Sequence, residues 1–296
     1  MAVTVAVSFD LGSLDPEGAE SVCLACGAAA VTFLDSRDDP VLEPLPGEMR
    51  LWPATRLSAL FLEASEPDSL AAGIAAALGL APALVTAEVL PERAWEREWL
   101  KDFHAMRFGE RLWVCPRHER VDEANAAVVT LDPGLAFGTG THPSTALCLV
   151  WIDAHADRLS APGVRVIDYG CGSGVLALAA AKLGAAEVHC FDIDSQALIA
   201  TRGNALENGV AGVLRVHDCA AELPSGADIL MANILSEPLC ALAPAFAALL
   251  RPRGRAVLAG IMRHEVPDVT GAYAPWFHVE VFKESGDWSC LGAVRR

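Results

Sequence analysis

Short apolar runs and helical stretches alternate along the first 90 residues. Residues 2–7 read as a strand, 16–26 as a helix and 30–34 as a second strand. After the turn-rich stretch 35–49, residues 57–62 read as strand, the alanine-rich 68–78 as helix and 84–90 as a closing strand. That order, βαββαβ, predicts a split βαβ, or ferredoxin-like, α+β domain over residues 1–90. A connector follows over residues 91–125. In it Trp95, Trp99, Phe103 and Met106 recur at helical spacing, a pattern that favours packing over a recognition stripe. Residues 106–115 read as one strand. From Asn125 onward strands and helices alternate. Strands are predicted at 128–131, 164–168, 188–191, 213–216, 229–232 and 255–260, and helices at 143–154, 175–183, 195–207 and 239–250. This predicts a parallel sheet covered on both faces in a second domain, residues 126–296. The tail segments 277–282 and 288–294 alternate apolar and polar residues, as edge strands would.

Composition narrows the classes. Lys plus Arg total 22 against 38 Asp plus Glu, a formal charge of −16. Binding to a phosphate backbone depends on basic patches, so no direct nucleic-acid partner is expected and a cationic one suits the chain better. No Lys or Arg precedes Arg37, so the charged start of a signal peptide is missing. The longest uncharged apolar run, residues 238–250, is 13 residues with two prolines, too short to span a bilayer. The nine cysteines are scattered through predicted strands and helices. The pair Cys23 and Cys26 sits in an apolar pattern with no second pair at metal spacing, so reduced, buried thiols in a cytoplasmic protein are expected. No metal site is expected.

The chemistry concentrates between residues 164 and 208. An apolar run ending in Asp168 leads into Gly170-Cys171-Gly172-Ser173-Gly174, a helical run follows, and a second apolar run ends in Asp192-Ile193-Asp194. Glycines let a backbone approach a ligand at a helix N-terminus, and a carboxylate about 20 residues on accepts ribose hydroxyls. Asp192 lies 22 residues after Gly170. Dinucleotide sites use G-x-G-x-x-G; here the third glycine comes one residue early. That compact loop, introduced by Asp168, resembles the S-adenosylmethionine loop of class I methyltransferases. Asp194 directly precedes a predicted helix and suits a capping role.

A more specific resemblance covers nearly the whole chain. Leu131-Asp132-Pro133-Gly134-Leu135-Ala136-Phe137-Gly138-Thr139-Gly140-Thr141-His142-Pro143 resembles the signature of the PrmA family, which methylates large-subunit ribosomal protein eleven. The glycine loop, Asp192-Ile193-Asp194, residues 204–209, Ala232-Asn233-Ile234-Leu235, residues 43–48 and Trp95-Glu96-Arg97-Glu98-Trp99 are similar to the same family. The resemblance implies a small substrate-recognition domain, a linker and a Rossmann-like class I methyltransferase domain with a parallel-dominated seven-stranded sheet. It implies S-adenosylmethionine as cofactor, a basic ribosomal protein as partner, and methylation of lysine ε-amines and an N-terminal α-amine up to the trimethyl state. A monomer is expected. A class I methyltransferase acting on another protein or on a small-molecule amine is the alternative. By position, Thr145, Gly170, Asp192 and Asn233 fall where the family contacts the cofactor.

The residues themselves add expectations. A protonated lysine has no lone pair, and deprotonating it at pH 7 costs about 4.6 kcal/mol, against about 1 kcal/mol for an α-amine. Asn233, at the end of a central predicted strand, is the candidate to receive the amine's N–H through a carbonyl. It stands where glutamine and nucleobase methyltransferases have Asn-Pro-Pro-Tyr, but Ile234-Leu235-Ser236 follows it here, which argues against planar amide or base substrates. Asp168 orients the glycine loop, reaches the methionine amine or caps. Gly172 belongs to the cofactor loop. Thr145 lies one turn into a helix, so Thr139, Thr141 and His142 are rival ligands, and His142 is weighed as a proton acceptor against a plain polar loop residue. His104, His189, His217 and Cys171 show no partner spacing that suggests catalysis.

Overall fold

The computed structural model describes residues 3–37, 51–64, 66–90, 104–131 and 140–296. The chain divides into two compact units, Met1–Glu96 and Arg97–Arg296.

In the first unit β1 (Val3–Asp10), α1 (Pro16–Ala25), β2 (Ala30–Asp35), β3 (Thr55–Ala64), α2 (Pro67–Leu78) and β4 (Thr86–Leu90) follow in that order. The sheet order is β2-β3-β1-β4, antiparallel throughout, as the ferredoxin-like arrangement requires. Period-two alternation buries Val5, Val7 and Phe9 of β1 and Leu57, Ala59 and Phe61 of β3 against Ala19, Cys23, Ala71, Ile74 and Ala75 of the helices. Asp15 caps α1, its Oδ2 accepting from the Gly18 N–H at 2.8 Å. Of the cysteine pair, Cys23 is core while Cys26 is exposed. Burial, and then the neighbouring Cys26, push the Cys23 thiol up to about 11.

The second unit begins with a small sheet of β5 (Met106–Phe108), β6 (Leu112–Cys115) and β7 (Ala127–Thr130). The stretch read as one strand over 106–115 is instead a hairpin, with β5 antiparallel to β6 and β6 parallel to β7. The break is a buried carboxylate. Asp153 Oδ2 accepts from the Glu110 N–H, and Oδ1 from the N–H groups of Arg111 and Leu112, at 2.6–3.0 Å. Gly109 turns there with φ 78°, and any Cβ on it would run into the Asp153 carboxyl. Thus β5 and β6, inside the stretch expected as connector, are built into the second unit. Trp95, Trp99 and Phe103, together with the segments 43–48 and 132–139, lie outside the described residues.

The main sheet has seven strands: β8 (Arg165–Tyr169), β9 (Glu187–Phe191), β10 (Leu214–His217), β11 (Ala227–Asn233), β12 (Leu250–Met262), β13 (Phe277–Ser285) and β14 (Trp288–Arg295). Their order is β10-β9-β8-β11-β12-β14-β13. The first five run parallel, and β14 pairs antiparallel with both β12 and β13. Helices α3 (Pro143–Ala154), α4 (Val175–Lys182), α5 (Ser195–Glu207), α6 (Ser236–Leu249) and α7 (Val266–Tyr273) are interleaved with the strands. Along β11, Ile229 and Met231 join one core with Leu147, Ile152 and Leu178, while Leu230 and Ala232 join another with Leu239, Phe246 and Tyr273. Burial on both faces is why these strands read as continuous apolar runs. One expectation is corrected: β14 is not an edge strand but is inserted between β12 and β13, with Ser289, Cys290, Leu291 and Ala293 buried. Among the described residues, no helix is long and apolar enough to cross a membrane.

Candidate functional site

The predicted chemistry gathers at the edge where the parallel strands end, the position that open α/β sheets use for ligands. After β8 the chain turns through Gly170, Gly172 and Gly174, with φ of 80°, 54° and 82°, values that side-chain-bearing residues adopt at a cost. The Gly170 and Cys171 N–H groups donate to the Phe191 carbonyl at 2.8 and 3.1 Å, tying the loop to the end of β9. Gly174 then opens α4.

The loop is also held from α5. Thr201, fully buried, donates to the Gly172 carbonyl at 3.0 Å, and its hydroxyl would be only 2.9 Å from a Cβ on Gly174. Asn204 Nδ2 donates to the Ser173 carbonyl at 2.8 Å. Asn208 Oδ1 accepts from the Thr130 N–H at 2.8 Å while its Nδ2 donates to the Thr130 carbonyl at 2.7 Å. The helix α5 and its C-cap Asn208 therefore fix both the glycine loop and the end of β7. Thr201, Asn204 and the C-cap Asn208 recur at helical spacing; Asn204 and Asn208 entered the sequence analysis only through the resemblance over 204–209, and Thr201 not at all.

Asp192 receives the loop from the other side. Its Oδ2 accepts from the Gly172 N–H at 2.8 Å and its Oδ1 from the Asp194 N–H at 3.0 Å. A carboxylate has about four acceptor positions, so half remain on a side chain that is only partly buried. Asp194 is the cap of α5, accepting from Gln196 N–H at 2.8 Å. Ile193 between them is 94% exposed.

Asp168 lies beneath the loop with no exposed surface. Its Oδ2 accepts from the Ala177 N–H at 3.0 Å, while Oδ1 is buried without a hydrogen-bond partner. Burial pushes this carboxyl up to about 7, against the Ala177 hydrogen bond, with the Asp192 charge adding to the rise. The folded protein therefore holds this proton more tightly than the unfolded chain does. The stabilising contribution is complete below the ordinary carboxylate pKa and is lost as pH rises towards 7 and through it. Denaturant unfolding between pH 4 and 8 should show a loss on the order of a few kcal/mol that Asp168→Asn removes. Parallel pH profiles for the two proteins would contradict this.

Asn233 ends β11, half-buried, and its Nδ2 donates to Thr145 Oγ1 at 3.1 Å. Thr145 is 1% exposed in the first turn of α3, so residues 88 positions apart meet at one hydrogen bond. His142 is the cap of α3: its Nδ1 accepts from the Ser144 N–H at 3.3 Å and is hydrogen-bonded to Ser144 Oγ at 2.7 Å. That is the polar-loop role rather than a free base.

Between the two halves sits Ile234. A Cβ on Gly170 would overlap its Cγ2, and a Cβ on Gly260 (φ 82°) would overlap its carbonyl oxygen and come within 2.8 Å of its carbonyl carbon. Glycines after β8 and late in β12 thus let the Asn233-Ile234 turn settle between them. Gly260 was missed in the sequence, where it reads as the ordinary end of a strand. Asp168, Gly170, Gly172, Asp192, Asn233 and Thr145 are brought to one sheet edge; Thr139 lies outside the described residues. Among those residues, no group of three or more His, Cys, Asp or Glu is arranged to hold a metal ion.

The sequence pattern of the family described as "Ribosomal protein L11 methyltransferase (PrmA)" matches residues 5–296. A protein from Alkalilimnicola ehrlichii named ribosomal protein L11 methyltransferase is 45% identical over 294 residues, 98% of each chain. One of the same name from Actinobacillus pleuropneumoniae is 46% identical over 273 residues, 91% of this chain and 92% of its own. The crystal structure of ribosomal protein L11 methylase from Lactobacillus delbrueckii subsp. bulgaricus superposes with a TM-score of 0.59 at 31% identity, covering 66% of this chain and 100% of that one.

Proposed function

The chain belongs to the ribosomal protein L11 methyltransferase (PrmA) family, and from that premise we propose that it transfers methyl groups from S-adenosylmethionine to lysine ε-amines and the N-terminal α-amine of ribosomal protein L11. The observation that carries this reading is the meeting, at one sheet edge, of the Asp192-Gly172 pair with the Asn233-Thr145 pair across Ile234.

The residues present fit the cofactor. Asp168 offers a buried oxygen with no partner, suited to a cationic group, and Gly170 and Gly172, both at positive φ, put no side chain between the loop backbone and a ligand. We assign the ribose hydroxyls to the unused acceptor positions of Asp192, and the tail to the backbone of Gly170 and Gly172. Thr139 would add to this set from the 132–139 segment. When bound, the cofactor supplies an electrophilic methyl carbon on a sulfonium.

The remaining work belongs to the chain. Thr145 holds Nδ2 of Asn233, so the amide oxygen faces away from α3 and is free to accept an N–H of an incoming unmethylated or monomethylated amine. A neutral dimethylated amine has no N–H to offer, and its transfer does not use this bond. That hydrogen bond orients the lone pair, and orientation of this kind supplies much of the rate in two-reactant displacements. Both amine classes use the same acceptor; they differ in the cost of the proton that each ammonium must first release to solvent. Thr145 thereby serves the site through Asn233. We assign residues 1–90 to recognition of the protein substrate and 126–296 to transfer; the 106–115 hairpin, first expected in a connector over 91–125, goes with the transfer unit. The substrate is read as a basic protein met directly, without nucleic acid, by a monomer in the cytoplasm.

Incubation with radiolabelled S-adenosylmethionine and purified bacterial L11 should place label on that protein, at lysine and N-terminal amines by mass spectrometry. Label on a different protein or on a small amine, with none on L11, would replace the substrate assignment. Asp192→Ala should weaken cofactor binding by roughly 1–3 kcal/mol, the scale of a hydrogen bond to a charged group. Calorimetric titration checks this, and an unchanged dissociation constant would remove Asp192 from the site.

A further inference from the structure

The opposite edge of the seven-stranded sheet, where the parallel strands begin, concentrates positive charge in a chain whose formal charge is −16. A cleft of about 120 Å³ opens there, lined by Arg158, Val164, Asp228, Arg251, Arg253 and Arg255. A second, wider cleft shares Arg158, Arg253 and Arg255 and adds His278, Arg295 and Arg296. Strand register explains the convergence: Arg255 lies opposite Val294, and Val294 opposite His278. The start of β12, the end of β14 and the start of β13 therefore present their cations side by side.

Not all of this charge is free. Arg251 is paired with Asp228 at 2.6 Å, and the other oxygen of Asp228 accepts from the Arg165 N–H at 2.8 Å. Arg295 donates to the Leu250 carbonyl, and Arg296 to the Phe277 carbonyl at 3.4 Å. Among the described residues, the side chains of Arg158, Arg253 and Arg255 have neither an ion pair nor a hydrogen bond. Guanidinium groups sharing one cleft repel one another; Arg158 and Arg253 are exposed and Arg255 is half-buried. Arg253 adds a second, independent sign. Its φ is 62°, in the left-handed region that disfavours every residue with a side chain. Glycine would occupy that turn without strain, yet arginine stands there and adds a charge to the cleft. Backbone strain of this kind clusters at ligand sites.

We propose that the cleft formed by Arg158, Arg253 and Arg255 is a binding site for a phosphate-class oxyanion, separate from the methyl-transfer edge. Guanidinium forks match the oxygens of such an anion and hold their charge at any physiological pH. The anion would relieve the mutual repulsion of the three side chains, which is the reason for them to converge. His155 reports on the cleft. It stacks on Trp151 at 3.9 Å, and its pKa is held below the usual imidazole value first by burial and then by Arg255 and Arg158, with the Trp151 carbonyl and Glu280 acting in the opposite sense. An anion between those arginines would raise it.

The full-length protein titrated with potassium phosphate, against potassium chloride at matched ionic strength, should show a saturable shift of the His155 ring signals in NMR. Arg253→Gly should bind phosphate roughly five- to tenfold more weakly, melt no lower than the parent because the backbone strain is gone, and leave methyl transfer unchanged. Arg255→Gln should weaken phosphate similarly. Competition between phosphate and a short single-stranded RNA at this site would identify a nucleic-acid backbone as the source of the anion; phosphate binding without competition would identify a free small anion. No saturable response beyond that to chloride, or equal phosphate affinity in the parent and both variants, would overturn the proposal.

Discussion

Asn233→Ala is expected to lower kcat by about 10²-fold or more, with a smaller change in the KM for the protein substrate. The reasoning rests on one hydrogen bond. Asn233 Nδ2 donates to Thr145 Oγ1 at 3.1 Å, which fixes which end of the amide is left to the site. An amide oxygen at a fixed place accepts the N–H of an amine only in one orientation, and that orientation aims the lone pair. Alanine leaves the amine to water, and a misplacement of about 1 Å is enough for a hundredfold loss. Loss confined to kcat marks an interaction used in the reacting complex rather than in substrate binding. Thr145→Val should show the same pattern at smaller size, and Thr145→Ser should restore most of the rate by keeping the hydroxyl. Single-turnover transfer at saturating cofactor measures all three. Full activity in Asn233→Ala would show that the amide does not act on the amine.

Gly260→Ala is the second large effect, and it acts on a residue that touches no reacting group. A methyl there would overlap the Ile234 carbonyl oxygen and come within 3.2 Å of its nitrogen, and the φ of 82° adds strain of about 1–2 kcal/mol for any side-chain-bearing residue. Backbone cannot step aside as a flexible side chain can, and overpacking commonly costs roughly 1–3 kcal/mol. The Asn233-Ile234 turn should shift away from Gly260 and carry the amide off its position. Destabilisation of roughly 2–5 kcal/mol in chemical denaturation, with transfer falling further than the folded fraction does, is the expected result. A variant as stable and active as the parent would mean that the turn has room the structure does not show.

Much of this site was legible in the sequence because its parts are local. Gly170, Gly172 and Gly174 follow an apolar strand, and Asp192 follows the next one, so strand-loop-helix-strand spacing alone places ligand backbone beside a carboxylate. Asp194 read as a cap because it stands directly before a helix. What escaped was non-local. The meeting of Asn233 with Thr145 joins β11 to α3, and only the strand order brings them together. Gly260 matters through a neighbour 26 positions earlier, and Thr201 through a loop 29 positions away. Alternation in β14 looked like an edge strand because Ser289 and Gly292 are small; they are buried between two strands instead, a fact of topology that period-two patterning does not carry. The hairpin of β5 and β6 was hidden for a similar reason, since the carboxylate that breaks the strand is Asp153, some forty residues on.

The most direct measurement is a crystal structure of the full-length protein grown with S-adenosylhomocysteine. The account predicts the ribose hydroxyls on the Asp192 carboxylate and the tail along Gly170 and Gly172, with the sulfur turned towards Asn233. Density for that nucleoside at any other part of the sheet edge, with Asp192 still bonded only to the N–H groups of Gly172 and Asp194, would contradict it.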